Sequence, residues 1–380
     1  MGALRVMSLL AARSKEADDA RRRGGPGGAS VRDTRSDRGA EGARTAAPED
    51  HPEPGTRASS MMPAATAQLS LLPPGPPAPL TILGVADSRA VTFEAVPTRS
   101  VLNSPAATHM PFWSVNPYIG CEFGCTYCYA RDTHRWTMER REGGEVRGTG
   151  GFENRILVKI DAPMILRRTL DPARINGAPI VIGTATDPYQ PAERRFRITR
   201  GLLESFLPHR GLHLGIITKS PLITRDIDLL VQLAERHTVR IHISLAALEG
   251  RLVQRIEARS PAPHARLRAL GRLAAAGLDV GLLVAPIIPG VTDGREQLTA
   301  LFRAAKDAGA RRVAGEALRL GPAARRHFLP HLAREFPDLA ERYNRRYGQR
   351  QSVGKDYLSA LARRLDAIRQ ELGLDGGRGL

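Results

Sequence analysis

Four short, almost wholly apolar runs divide the middle of this chain: PIVIGTATD (179–187), LHLGIITKS (212–220), TVRIHISLA (238–246) and DVGLLVAPI (279–287). PFWSVNPYIG (111–120) precedes them as a first strand or extended segment, and RRVAGEALR (311–319) follows as a weaker run. A strand that is apolar along its whole length has both faces buried, which is the state of a parallel sheet covered by helices. Segments with helical periodicity lie between the runs: APMILRRTL, ITRGLLESFLPH, RDIDLLVQLAER, HARLRALGRLAAAG and REQLTALFRAAKDAG. The last two close at Gly277 and Gly309, the residue type that most easily adopts the left-handed turn ending a helix. Strand and helix in alternation build βα units. Six such units suit an open or partial (β/α)6 barrel better than a closed barrel of eight. The predicted class is therefore α/β.

Residues 81–320 are assigned to this barrel and 321–380 to a helical C-terminal extension, through AARRHFLPHLAREF and KDYLSALARRLDAIRQEL. Residues 1–80, with RRRGGPGGAS, TAAPEDHPEPG and LLPPGPPAPL, are read as a disordered tail. Such a composition buries too little apolar surface to offset a chain entropy of about 1–2 kcal/mol per residue. The net charge is +17, carried almost entirely by arginine, since lysine occurs only at Lys15, Lys159, Lys219, Lys306 and Lys355. Charge of that kind fits solvated helix faces as well as a phosphate-rich partner. Two basic stretches, HRWTMERREGG with Trp136 and AERRFRITR (192–200), are candidates for contact with a nucleic-acid backbone. No run of apolar residues approaches membrane-spanning length, no secretory cleavage site is evident, and a cytoplasmic location is expected.

All three cysteines of the chain lie in CEFGCTYCYA (121–130), spaced C-x3-C-x2-C. An odd, crowded set cannot form a disulfide framework, which favours a reducing compartment and a metal or redox role. A structural zinc site commonly uses two separated ligand pairs. Here no second pair exists, and His134 and His109 are the nearest histidines to complete a set. Three thiolates also suit three corners of a [4Fe–4S] cube, leaving one iron open for chemistry. Two classes of function follow: an enzyme with an open cluster, or a non-catalytic iron–sulfur or zinc-stapled protein that binds nucleic acid.

C-x3-C-x2-C with an aromatic before the last cysteine, after an apolar strand and at the head of a βα series, resembles the signature of the radical S-adenosylmethionine (SAM) enzymes. NPYIGCEFGCTYCYAR, TATDPYQPAERR, IITKSPLITRDIDLL and VAPIIPGVTD, spanning roughly residues 95–320, are similar to the spore photoproduct lyase-like, or DNA repair photolyase-like, branch. The resemblance implies that Cys121, Cys125 and Cys128 ligate a [4Fe–4S] cluster whose open iron is chelated by SAM. It implies reductive cleavage of SAM to a 5′-deoxyadenosyl radical that takes hydrogen from a substrate, with flavodoxin or ferredoxin as reductant. Tyr127 would pack near the adenine, and Tyr127 and Tyr129 stand where the lyase has its hydrogen-relay tyrosines. Thr186 and Asp187, with Thr184 behind them, would hold the SAM amino group and Lys219 its carboxylate. Ser244 would reach the ribose, and Ala285 with Pro286 would wall the adenine. Glu257 and Arg266 are read as an ion pair, either beside the site or on the surface.

One departure from the lyase is decisive for substrate. The lyase returns hydrogen through a cysteine outside the cluster motif, and this chain has none. The resemblance therefore carries the cofactor chemistry and leaves the substrate open, with nucleic acid as a candidate.

Overall fold

A computed structural model of the chain describes residues 82–86, 91–134 and 151–374. The tail assigned to residues 1–80 and the stretch holding Trp136 lie outside the described residues. Eleven strands are described: β1 (Ile82–Ala86), β2 (Val91–Ala95), β3 (Leu102–Asn103), β4 (Trp113–Val115), β5 (Tyr118–Ile119), β6 (Arg155–Val158), β7 (Ile180–Ile182), β8 (His213–Thr218), β9 (Thr238–Ser244), β10 (Asp279–Ile287) and β11 (Arg312–Ala317). Seven form one sheet in the order β11-β10-β9-β8-β7-β4-β3. Every neighbouring pair from β4 to β11 is parallel, and β3 is an antiparallel edge strand. These six parallel strands are the six units of the partial (β/α)6 barrel.

The covering helices bury an apolar stripe. Pro263–Ala275 buries Ala269, Leu270 and Leu273, and Arg295–Asp307 buries Leu298, Leu301 and Phe302. Each buried leucine contributes about 1.5–3 kcal/mol relative to exposure. The opposite face of the sheet is organised in tiers, because alternate residues of a strand share a face. At the N-terminal ends, Arg312 donates two hydrogen bonds to Asp279 at 2.8 and 2.9 Å. Above this, Phe112, Val181, Leu283 and Ala314 form a small separate apolar layer with Ile217 and Ala285 packed against it. Above that layer, the C-terminal strand ends carry Lys219, Ser244 and Glu316.

The structure differs from the sequence reading in two places. PFWSVNPYIG is not one strand: β4 belongs to the large sheet and β5 to a second sheet of order β1-β2-β6-β5. The break falls at Asn116-Pro117, where proline has no N–H to continue the ladder. In PIVIGTATD only Ile180–Ile182 is strand. Gly183 then turns with φ +91°, and a Cβ there would stand 2.6 Å from both the Ile217 carbonyl oxygen and Pro188 Cδ. TATD consequently folds across the strand ends.

The C-terminal extension is helical over Pro322–Glu335, Ala340–Tyr347 and Lys355–Glu371. It is tied to the barrel by polar contacts at the same end as the cysteines. Asp132 accepts from the Ala323 and Ala324 amides at 2.7 and 3.2 Å, capping the first of these helices. Tyr343 and Tyr347 donate to the carbonyls of Pro289 and Leu318 at 2.7 and 3.1 Å. No described helix is long and apolar enough to cross a membrane.

Candidate active site

The cysteine loop is pinned from three sides. Gly120 enters it at φ +88°, where a Cβ would lie 2.9 Å from the carbonyl oxygens of Arg155 and Phe152. The Cys121 amide donates to Phe152 O at 2.9 Å, and the Thr126 amide to Ile256 O at 3.0 Å. Gln190 accepts from the Glu122 amide at 2.9 Å, while the Glu122 carboxylate accepts from the Ala192 amide at 2.6 Å. Cys121 and Cys125 are buried, Cys128 is half-buried, and all three are free thiols. Burial pushes each thiol above its ordinary pKa, with Asp187 adding to this at Cys121 and Glu257 at Cys125. Buried thiols in this setting deprotonate when a cation arrives to hold them.

The strand ends close over this loop. One cavity of about 440 Å³ is lined by all three cysteines and both Tyr127 and Tyr129. Thr184, Thr186, Asp187, Lys219, Ser244 and Ala285 line the same cavity. The structure thus brings the three cysteines, the two tyrosines and every residue assigned to SAM to one cavity.

Their hydrogen bonds differ in kind. Asp187 is largely committed: it accepts from the Tyr189 amide at 2.9 Å, Thr218 Oγ1 at 2.6 Å and the Lys219 amide at 2.7 Å. Thr186 donates to Gly120 O at 2.6 Å and accepts from Gln190 Nε2 at 2.9 Å, which leaves one lone pair on its hydroxyl. Thr184 Oγ1 accepts from Asn116 Nδ2 at 3.0 Å. Lys219 Nζ donates to Ser244 Oγ at 3.0 Å and lies 3.3 Å from Tyr127 Oη. The Tyr127 hydroxyl donates to Glu257, whereas the Tyr129 hydroxyl donates to the Thr184 carbonyl. Tyr127 is 6% exposed and Tyr129 41%.

Behind Lys219 lies a wholly buried ionic cluster. Glu257 Oε1 is 3.1 Å from Lys219 Nζ, and Glu257 Oε2 is 2.5 Å from Arg266. Ser260 donates to the same carboxylate at 2.7 Å, and Arg266 reaches Ser244 O at 2.9 Å. Burial alone would raise the Glu257 carboxyl, yet Arg266 and Lys219 hold it well below the usual carboxylate range. The surface alternative for Glu257 and Arg266 is corrected: both are fully enclosed and lean on the site.

Neither histidine weighed as a zinc ligand joins the thiols. His134 is buried with Nε2 bonded to Ala185 O at 2.5 Å, and burial lowers its pKa to about 4. His109 is exposed on the cavity rim. Among the described residues, no three His, Cys, Asp or Glu side chains gather on a point able to hold a single metal ion. Sequence reasoning missed Asn116, Glu122 and Gln190, whose partners lie 68–70 residues away in the chain.

Residues 115–302 match the family described as the Radical SAM superfamily. An uncharacterized protein of Mycobacterium tuberculosis is 34% identical over 277 residues, which cover 72% of this chain and 79% of that protein. An uncharacterized protein of Acidianus two-tailed virus is 32% identical over 216 residues, 54% of this chain and 67% of that protein. Among solved structures, spore photoproduct lyase with bound AdoMet and dinucleoside spore photoproduct superposes with a TM-score of 0.54. That match has 17% identity and covers 75% of this chain and 80% of the lyase, so it is a likeness of fold. The chain belongs to the radical SAM superfamily. It is a radical SAM enzyme built on the fold of spore photoproduct lyase.

Proposed function

We propose that Cys121, Cys125 and Cys128 hold a [4Fe–4S] cluster and that the strand ends around it bind SAM. The observation that carries this reading is the cavity in which three thiols share walls with polar groups from the ends of β7, β8 and β9, closed by Ala285 and Pro286 of β10. The donor set fits the group. Three thiolates bind three irons of a cube at separate corners, so they need not converge as ligands of one zinc ion do. Such a cluster, given one electron from a reductant, would supply reductive cleavage of SAM to methionine and a 5′-deoxyadenosyl radical able to take hydrogen from a substrate.

The chain's own residues bind and orient. Lys219 offers its ammonium to the SAM carboxylate as a compact point charge, and Glu257 with Arg266 fixes where that ammonium sits. Thr186, through its remaining lone pair, and Thr184 take the amino group. Asp187 supports them by tying the TATD turn to β8. Ser244 faces the ribose, and the Ala285 backbone borders the adenine. Tyr127 is held against Glu257 and packs as a wall. Tyr129, more exposed and on the same cavity, is the candidate hydrogen donor in a chain without a further cysteine. Polar groups converging on the thiols from several strands have no use in a stapled loop, which favours catalysis over the non-catalytic reading.

Damaged or modified nucleic acid is the first substrate class to test, with a flavodoxin or ferredoxin as electron donor. Of the basic stretch 192–200, Arg200 is consumed by Asp226 and Asp228 at 2.8 and 2.9 Å, while Arg194 and Arg197 are exposed. The reading is tested by SAM binding to the iron-loaded protein and to Lys219→Met. Retained iron with weakened SAM binding is the expected result.

A further inference from the structure

A second cavity, of about 350 Å³, lies between the loop after β10 and the C-terminal extension, and its walls carry Arg295, Arg342, Arg346 and Arg364. Asp293 is the carboxylate among its described lining residues, and it is already occupied. Its Oδ1 accepts from the Gly290 amide at 2.8 Å and its Oδ2 from the Tyr357 hydroxyl at 2.7 Å. Arg295 pairs with Glu371, and Arg364 donates to the Asp293 carbonyl. Arg342 and Arg346 are different. They stand four residues apart on the helix Ala340–Tyr347, hence on one face, and neither has a hydrogen bond or carboxylate partner among the described residues. Glu341, the acid on that helix, pairs with Arg345 instead, at 3.6 Å. Arg346 does rest 5.5 Å from the Tyr357 ring centroid, a contact that uses none of its N–H donors.

We infer that this cavity is a binding site for a phosphate group. Two guanidinium forks without a paired carboxylate, at a recess whose one acid has both oxygens engaged by other donors, present the planar donor geometry that pairs two-by-two with phosphate oxygens. The loop after β10 starts at the same sheet end as the cysteine cavity, and the phosphate group could belong to a phosphodiester chain or to a small phosphorylated molecule. The site does not depend on the radical chemistry proposed above.

The test uses the full chain, loaded anaerobically with iron and sulfide, and two probes: inorganic phosphate by calorimetry and a single-stranded oligodeoxynucleotide without terminal phosphates by fluorescence anisotropy. Arg342→Ala/Arg346→Ala is compared with Arg345→Ala/Arg363→Ala, which removes the same charge outside the cavity. Unfolding midpoints establish that both are folded, and Arg342→Lys/Arg346→Lys keeps charge without the fork. The expected result is phosphate binding weakened about tenfold per guanidinium lost, with the outside pair changing it by about twofold at most. Dependence of the oligonucleotide on the same pair identifies a nucleic-acid backbone as the source, and dependence of inorganic phosphate alone identifies a small phosphorylated ligand. Equal weakening by both pairs, or no saturable phosphate binding by the unaltered protein, overturns the inference.

Discussion

Lys219 Nζ lies 3.1 Å from a Glu257 carboxylate that has no exposed surface. The same carboxylate is bonded to Arg266, itself fully buried, so one negative charge holds two positive ones in the barrel interior. Breaking a buried pair by removing one partner leaves an uncompensated charge, which costs about 3–5 kcal/mol. Glu257→Gln is expected to lower unfolding free energy by about that amount in urea titration. A loss below about 1 kcal/mol would mean that Arg266 finds water or another acceptor.

Lys219 itself separates binding from assembly. Burial disfavours its charge, but Glu257 and Cys125 act the other way and its pKa stands raised. Lys219→Met should therefore remove a charged donor at neutral pH and weaken SAM binding about tenfold or more in equilibrium dialysis. Iron content should be unchanged, because no cysteine is touched.

Asp132 links the cysteine segment to the C-terminal extension. Asp132→Ala deprives the helix Pro322–Glu335 of its two amide partners, and a lost cap of this kind costs about 1 kcal/mol. Thermal unfolding should show that loss. An unchanged midpoint would show that solvent caps the helix equally well.

The acid side of the stability profile rests on buried imidazoles. Burial lowers His242 to about 3, helped by Arg312 and Arg240, and lowers His134 to about 4. In the unfolded chain both take up protons near pH 6.5, so the unfolded state binds more protons below that pH and stability falls as pH drops. His242 Nε2 has no hydrogen-bond partner among the described residues, which makes it the safer one to replace. His242→Leu should flatten the decline between pH 6 and 4.5 by up to about 1.4 kcal/mol per pH unit. A slope equal to the parent's would place the acid sensitivity elsewhere.

The six parallel strands were readable because burial on both faces leaves an uninterrupted apolar run, as in β8 and β10. The second sheet was not: β2 and β6 are five and four residues long and pair across a long separation, so no local pattern marks them. The cysteines and Lys219 stand out by rarity in an arginine-rich chain. Asn116, Glu122 and Gln190 do not, since an amide or carboxylate becomes significant only when the fold supplies its distant partner. Glu257 and Arg266 were visible as a charged pair nine residues apart, but nothing in the sequence distinguishes an enclosed pair from a solvated one.

Generation of a deoxyadenosyl radical in this cavity is the step on which the proposed function stands. It is tested most directly by loading the protein with iron and sulfide without oxygen, reducing it with dithionite in the presence of SAM, and quantifying 5′-deoxyadenosine beside Cys125→Ala. The parent protein should yield deoxyadenosine and the variant none, and the variant should also fail to retain iron. One zinc per chain with no SAM bound, or equal deoxyadenosine from both proteins, would contradict it.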